Sequence, residues 1–191
     1  MGELKKLVII GDSFSANKTK DSWTQKLHIP CDNLSSNGSS EYRIWKKICN
    51  TDISQYDIAV VVHTSPNRIY TTDNHIYPAD HSHAHSDLIY NDVLNKRGNV
   101  YADNAIWWFE NVFDIEHAED IYRLIVADCI TKIKIPCVHL TFFDLNIDHV
   151  LNLHKVWRNN QGLVNHMNAN GNTIVAKKVD SLLKTLYNNS Y

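Results

Sequence analysis

Two clusters of residues in this 191-residue chain carry side chains suited to nucleophilic chemistry. The first is Gly11-Asp12-Ser13-Phe14-Ser15, directly after the apolar run Leu7-Val8-Ile9-Ile10. A glycine there permits a tight turn. The serine then projects from the end of the run, where backbone N–H groups can face a developing oxyanion. The second cluster is His166-Met167-Asn168-Ala169-Asn170-Gly171, ahead of the last amphipathic stretch. A serine hydroxyl becomes nucleophilic beside a base, and histidine is the usual one. Each cluster also has an ordinary reading: a turn capped by Asp or Ser, and a loop histidine followed by an Asn-Gly turn. The triplet G-D-S arises by chance in about one chain of this length in twenty, so the argument rests on the pair.

Other polar residues invite the same question. The stretch Asp73 to Asp87 holds His75, His81, His83 and His85 together with Asp73, Asp80 and Asp87. Imidazole and carboxylate suit zinc and related metals, and in an extended segment His81, His83 and His85 would share one side. No partner of defined spacing follows, so the expectation is no metal and a loop over the site that shapes a substrate pocket. Arg68 either binds an anion or is an ordinary surface arginine. Trp107, Trp108, Phe109 and Phe113 are too many for one helix face, which predicts that some are core and one or two line a pocket. Lys46-Lys47 and Lys177-Lys178 read as solvated helix faces.

The elements that must position these residues are legible from periodicity. Leu7 to Ile10 suits a strand buried on both faces. A weaker strand is expected around Asp32 to Ser35, a central one over Asp57 to His63, and another over Cys137 to Phe143. Helices are expected over Glu41 to Cys49, with Ile44, Trp45 and Ile48 on one face, and over Asp103 to Phe113. A further helix covers Ile115 to Ile133, where Ile121, Leu124, Ile125, Asp128 and Cys129 recur at helical spacing. The last covers Asn172 to Tyr187, with Ile174, Val175, Val179, Leu182, Leu183 and Leu186 on one face. Strands alternating with helices predict one domain over 1–191, a three-layer α/β/α sandwich. Its sheet should be mainly parallel, five-stranded and flavodoxin-like. Such sheets bind ligands beyond the carboxyl ends of their strands.

Composition narrows the function classes. Apolar residues make up 43% and charged residues 21%, as in globular domains, and the formal charge is −2. Neither a nucleic-acid nor a membrane partner is expected. Cys31, Cys49, Cys129 and Cys137 form no C-x-x-C pair and read as reduced structural thiols. The run Leu7 to Ile10 is too short for a signal-peptide core, no stretch reaches membrane-spanning length, and Met1-Gly2 lacks a myristoylation context. A cytoplasmic location is expected. Nothing in the sequence specifies an oligomeric state.

GDSFS after the first strand and H-x-N-x-x-G before the last helix, with the strand–helix order and the chain length, resemble the SGNH/GDSL hydrolases. The resemblance implies that Ser13 attacks an acyl carbonyl and His166 takes its proton, with no metal or organic cofactor. It implies Gly38 as an oxyanion-hole donor beside the Ser13 N–H. It also implies an asparagine after the third strand, usually within G-x-N-D. This sequence has Thr64-Ser65-Pro66-Asn67 there, which aligns Ser65 with the asparagine and puts Asn67 two residues later. A second departure is the acid that the family carries three residues before its histidine, where this chain has Leu163. The expectation is therefore a dyad, with His166 oriented by a backbone carbonyl near Leu163, or by Asp144 or Asp148. Asp12, Thr64, Arg68 and Asn168 are expected to contact substrate. The implied substrates are small acyl esters or O-acylated carbohydrate. Rival readings are a catalytically retired SGNH-fold protein that binds a glycan or protein, and a metal-dependent hydrolase built on the histidine-rich stretch. A nucleotide-binding protein is disfavoured because the first turn lacks the glycine density of a phosphate cradle.

Overall fold

The computed structural model describes residues 6–16, 19–78, 81, 84–162 and 166–188. Its strands, in chain order, are β1 (Leu7–Gly11), β2 (Cys31–Asn33), β3 (Ile58–His63), β4 (Arg68–Ile69), β5 (Leu88–Ile89), β6 (Cys137–Thr141) and β7 (Val150–Asn152). Five of them form one all-parallel sheet in the order β2-β1-β3-β6-β7, while β4 and β5 pair as a small antiparallel hairpin. Numbered within the sheet alone, this is the flavodoxin-like order, with a switch point between β1 and β3. The helices are α1 (Ser13–Ala16), α2 (Glu41–Asn50), α3 (Tyr90–Leu94), α4 (Val100–Asn111), α5 (Ile115–Lys132), α6 (His154–Asn159) and α7 (Ala169–Asn188).

Strand alternation builds the layers. Leu7, Ile9, Val60, Val62 and Leu140 point to one face, where Val175, Val179 and Leu183 of α7 and the buried Trp23 cover them. Val8, Ile10, Ala59 and Val61 point to the other, beneath Ile44 and Ile48 of α2 and Cys129 of α5. The fold is thus an α/β/α sandwich. A third apolar cluster of Ile76, Val93, Ala102, Ile106 and Phe109 lies in the long connection between β3 and α5. That connection folds as a small cap with its own core.

The register decides what shares an edge. Gly11 pairs with Val62, and His63 with Thr141. Asp12-Ser13, Thr64-Ser65 and Phe142-Phe143 therefore all emerge at the carboxyl ends of neighbouring strands. Gly11 must be glycine: a Cβ there would lie 2.6 Å from Val62 Cβ and 2.6 Å from Ser15 Oγ.

Several expected boundaries and faces need correction. The fifth strand, β7, was not foreseen; it has three residues and is only partly buried. The core face of α5 is Tyr122, Val126 and Cys129. Leu124 is 67% exposed and Ile121 43% exposed, so the expected face was rotated. Lys46 and Lys47 are not a solvated face. Lys47 donates to Leu34 O and Ser36 Oγ, and Lys46 to the Tyr70 hydroxyl. Among the four aromatics of the α4 region, Phe109 is core and Trp107 is exposed. All four cysteines are free. Among the described residues no helix is long and apolar enough to cross a membrane.

Candidate active site

Asp12 organises the edge. Its Oδ1 accepts the Phe14 N–H at 2.9 Å, and its backbone carbonyl accepts the N–H groups of Ser15 and Ala16, so it caps α1. Its Oδ2 accepts the Thr64 hydroxyl at 2.9 Å and lies 3.1 Å from Arg68 Nη1. The side chain is fully buried, and that of Arg68 is 9% exposed. Burial raises the Asp12 pKa, opposed by Arg68, the Phe14 N–H, Thr64 and His166. Asp12 and Thr64, expected to meet substrate, are thus directed at each other and hold β1 to β3.

Ser13 follows at the first position of α1 and is partly exposed. His166 arrives from the loop before α7, its ring perpendicular to that of Phe14 at a centroid distance of 5.6 Å. Phe14 also stacks on Phe142 and meets Phe143 and Trp157 edge-on. The fold therefore brings His166 to the residues on both sides of Ser13: to Phe14 by contact, and to Asp12 through the field each exerts on the other. Burial lowers the His166 pKa below the ordinary histidine value, while Asp12 raises it and Arg68 lowers it. The imidazole is accordingly neutral at pH 7, the form a base requires. Among the described residues, neither the Ser13 hydroxyl nor the His166 ring takes part in a hydrogen bond.

The remaining expected residues divide by position. Gly38 is buried on the loop after β2 with φ +64°, and a Cβ there would lie 2.5 Å from Ser86. This loop is tied to the edge, because Ser36 N donates to Gly11 O and Arg68 Nη1 donates to Ser39 O. Ser65 Oγ accepts the Asn67 N–H at 3.2 Å, and Asn67 itself is exposed. Asn168 caps α7, its Oδ1 accepting the Gly171 N–H at 2.9 Å. Asp144 is 87% exposed and faces His154 at 3.7 Å, while Asp148 is exposed. The structure brings neither to His166. Leu163 lies outside the described residues, as do Asp80 and His83. Within the histidine-rich stretch, His75 packs on Tyr101 and His81 stacks on Tyr77. Among the described residues no three His, Cys, Asp or Glu side chains gather as a metal would require.

Sequence reading missed a buried polar chain beneath this edge. Glu41 Oε2 accepts the Thr64 N–H at 3.1 Å, and its Oε1 lies 2.7 Å from His63 Nδ1. His63 Nε2 lies 2.9 Å from His139 Nδ1, with the two rings stacked. A carboxylate only accepts, so His63 Nδ1 donates to it, and one of the two facing imidazole nitrogens supplies the second proton. Through Thr64 the chain runs on to Asp12. Asp87 was missed as well: it takes Arg43 bidentately and accepts the N–H groups of Ser40 and Thr71, pinning the cap to the start of α2. Only Glu41 at a helix start and His63 and His139 in apolar strands could have signalled such pairing, since lone polar residues in buried strands need partners.

No protein-family model matches this chain, and no curated protein is similar enough in sequence to count as a relative.

Proposed function

We propose that the chain is a serine-dependent ester hydrolase of the SGNH/GDSL type. The observation that carries this reading is the meeting of a half-buried His166 with the Asp12-Ser13-Phe14 turn at the switch point of a parallel sheet. Ser13 Oγ bonds to the acyl carbon while His166 accepts its proton. The tetrahedral intermediate then expels the alcohol, which leaves with the proton from His166. Water repeats the sequence on the acyl-enzyme, regenerating Ser13 and releasing the acid. The Ser13 and Gly38 N–H groups, with Ser65 or Asn67, serve the oxyanion. Asp12 supplies the negative charge that favours the imidazolium, acting through space rather than as a hydrogen-bonded triad acid. No metal or organic cofactor enters this scheme.

The test is hydrolysis of p-nitrophenyl acetate by wild type and Ser13→Ala. Wild type should turn over, and the variant should lose at least about a thousandfold in kcat/KM. Equal rates in both proteins would overturn the reading. A second reading, a retired SGNH-fold protein that binds a glycan or protein, draws support from the absence, among the described residues, of a carboxylate hydrogen-bonded to the His166 ring. It requires no turnover by wild type, and partner binding that survives Ser13→Ala.

A further inference from the structure

A cavity of about 400 Å³ lies along α2, between Leu34 after β2 and Tyr70 after β4. Neither Ser13 nor His166 lines it. Three cations of α2 do: Arg43, Lys46 and Lys47, whose spacing puts them on one face of the helix. They converge, since the Arg43 guanidinium lies 5.2 Å and the Lys46 ammonium 4.9 Å from the centre of the Tyr70 ring. Asp87 neutralises Arg43. Among the described residues no carboxylate pairs with Lys46 or Lys47. Lys46 donates to the Tyr70 hydroxyl, and Lys47 to Leu34 O and Ser36 Oγ, all neutral oxygens. Burial and the charge of Arg43 push Lys47 below the ordinary lysine range.

Donors remain to be used. Arg43 spends Nε and Nη2 on Asp87 and Thr71 O, and its Nη1 makes no hydrogen bond among the described residues. An ammonium carries three donors, so Lys46 and Lys47 both keep N–H groups for a further acceptor. A group with two negative charges and several oxygens would offset both unpaired ammoniums, and a phosphomonoester near pH 7 is such a group. The cavity is within the usual range of small-molecule sites and exceeds what a bare phosphate fills. Its other walls suit a polyhydroxylated body: the exposed Asn50 amide, which makes no hydrogen bond among the described residues, and the Thr51 hydroxyl. Leu34 and the Tyr70 ring add apolar contact.

We propose that this cavity binds a small phosphorylated sugar, with its phosphate on Lys46, Lys47 and Arg43 Nη1 and its hydroxyls on Asn50 and Thr51. The site stands apart from Ser13, so the proposal and the hydrolase reading succeed or fail separately.

The test is calorimetric titration of the full chain with glucose 6-phosphate, ribose 5-phosphate, glucose and inorganic phosphate. It uses wild type, Lys46→Gln, Lys47→Gln, Asn50→Ala and, as a charge control on α7, Lys177→Gln. Lys47 ties the loop after β2 to α2. Should its variant unfold, Lys46→Gln and Asn50→Ala decide the matter, because Lys46 is partly exposed and Asn50 exposed. Wild type should bind at least one sugar phosphate about tenfold or more tighter than glucose or inorganic phosphate. Each lysine variant should weaken that binding by about fivefold or more. Asn50→Ala should bring it towards the affinity for inorganic phosphate, and Lys177→Gln should leave it unchanged. The proposal is overturned if wild type binds neither sugar phosphate, or binds inorganic phosphate as tightly. Affinity that survives in the folded lysine variants, or that Lys177→Gln lowers as much, would overturn it too.

Discussion

At the scale of single residues, His139, stacked on His63 in the sheet, makes stability depend on acid pH. Burial, with His63 and His149 adding to it, pushes the His139 pKa down to about 3. The unfolded chain binds a proton at this histidine below about pH 6.5, and the folded chain does not until about pH 3. Stability should therefore be full above pH 6.5 and decline as pH falls towards 3, by a few kcal/mol in all. Asp12 acts in the opposite sense: its raised pKa costs stability once pH rises above the ordinary carboxyl range. Urea unfolding of His139→Gln between pH 3 and 7 should show a shallower slope than wild type; an identical slope would remove His139 as its source. Ser13 and His166 stood out as candidates in the sequence because each sits beside the end of an element, where residue type alone suggests chemistry. The Asp12–Thr64 bond spans 52 residues and the His63–His139 bond 76. Such partners are set by strand register, which no local pattern encodes.

Among the elements, those with one dominant apolar face were read correctly in kind and nearly in extent. β1, β3 and β6 stood out because a central parallel strand is buried on both faces. β7 did not, since three residues at a sheet edge leave too short a pattern. For α5, helical spacing identified the helix but not its buried face. Apolar residues surround much of it, and those buried are Tyr122, Val126 and Cys129, with Cys129 packed against the sheet and α2. This makes a paired prediction. Leu124→Lys on the exposed side of α5 should change stability by less than about 0.5 kcal/mol. Leu183→Ala on the buried face of α7 should cost about 2–5 kcal/mol by thermal or urea unfolding. A large penalty at Leu124 would mean that the surface described here as exposed is covered.

At the scale of the whole molecule, a parallel sandwich supplies the edge and an inserted cap supplies the enclosure. Within the long connection between β3 and α5, Asp73 to Asp87 read as a polar loop over the site, because its histidines and aspartates masked Ile76, which packs with Val93, Ala102, Ile106 and Phe109. Those residues form a separate core, and Asp87 fastens the cap to α2 beside the edge. Labelling with a fluorophosphonate probe, followed by intact-protein mass for wild type, Ser13→Ala and His166→Ala, tests the central claim most directly. The account predicts a single adduct on wild type and none on Ser13→Ala. It also predicts labelling at least about a hundredfold slower in His166→Ala, with a wild-type rate that holds to below pH 6.5 because the His166 pKa is lowered. Folded wild type without an adduct, or an adduct that persists in Ser13→Ala, would contradict it.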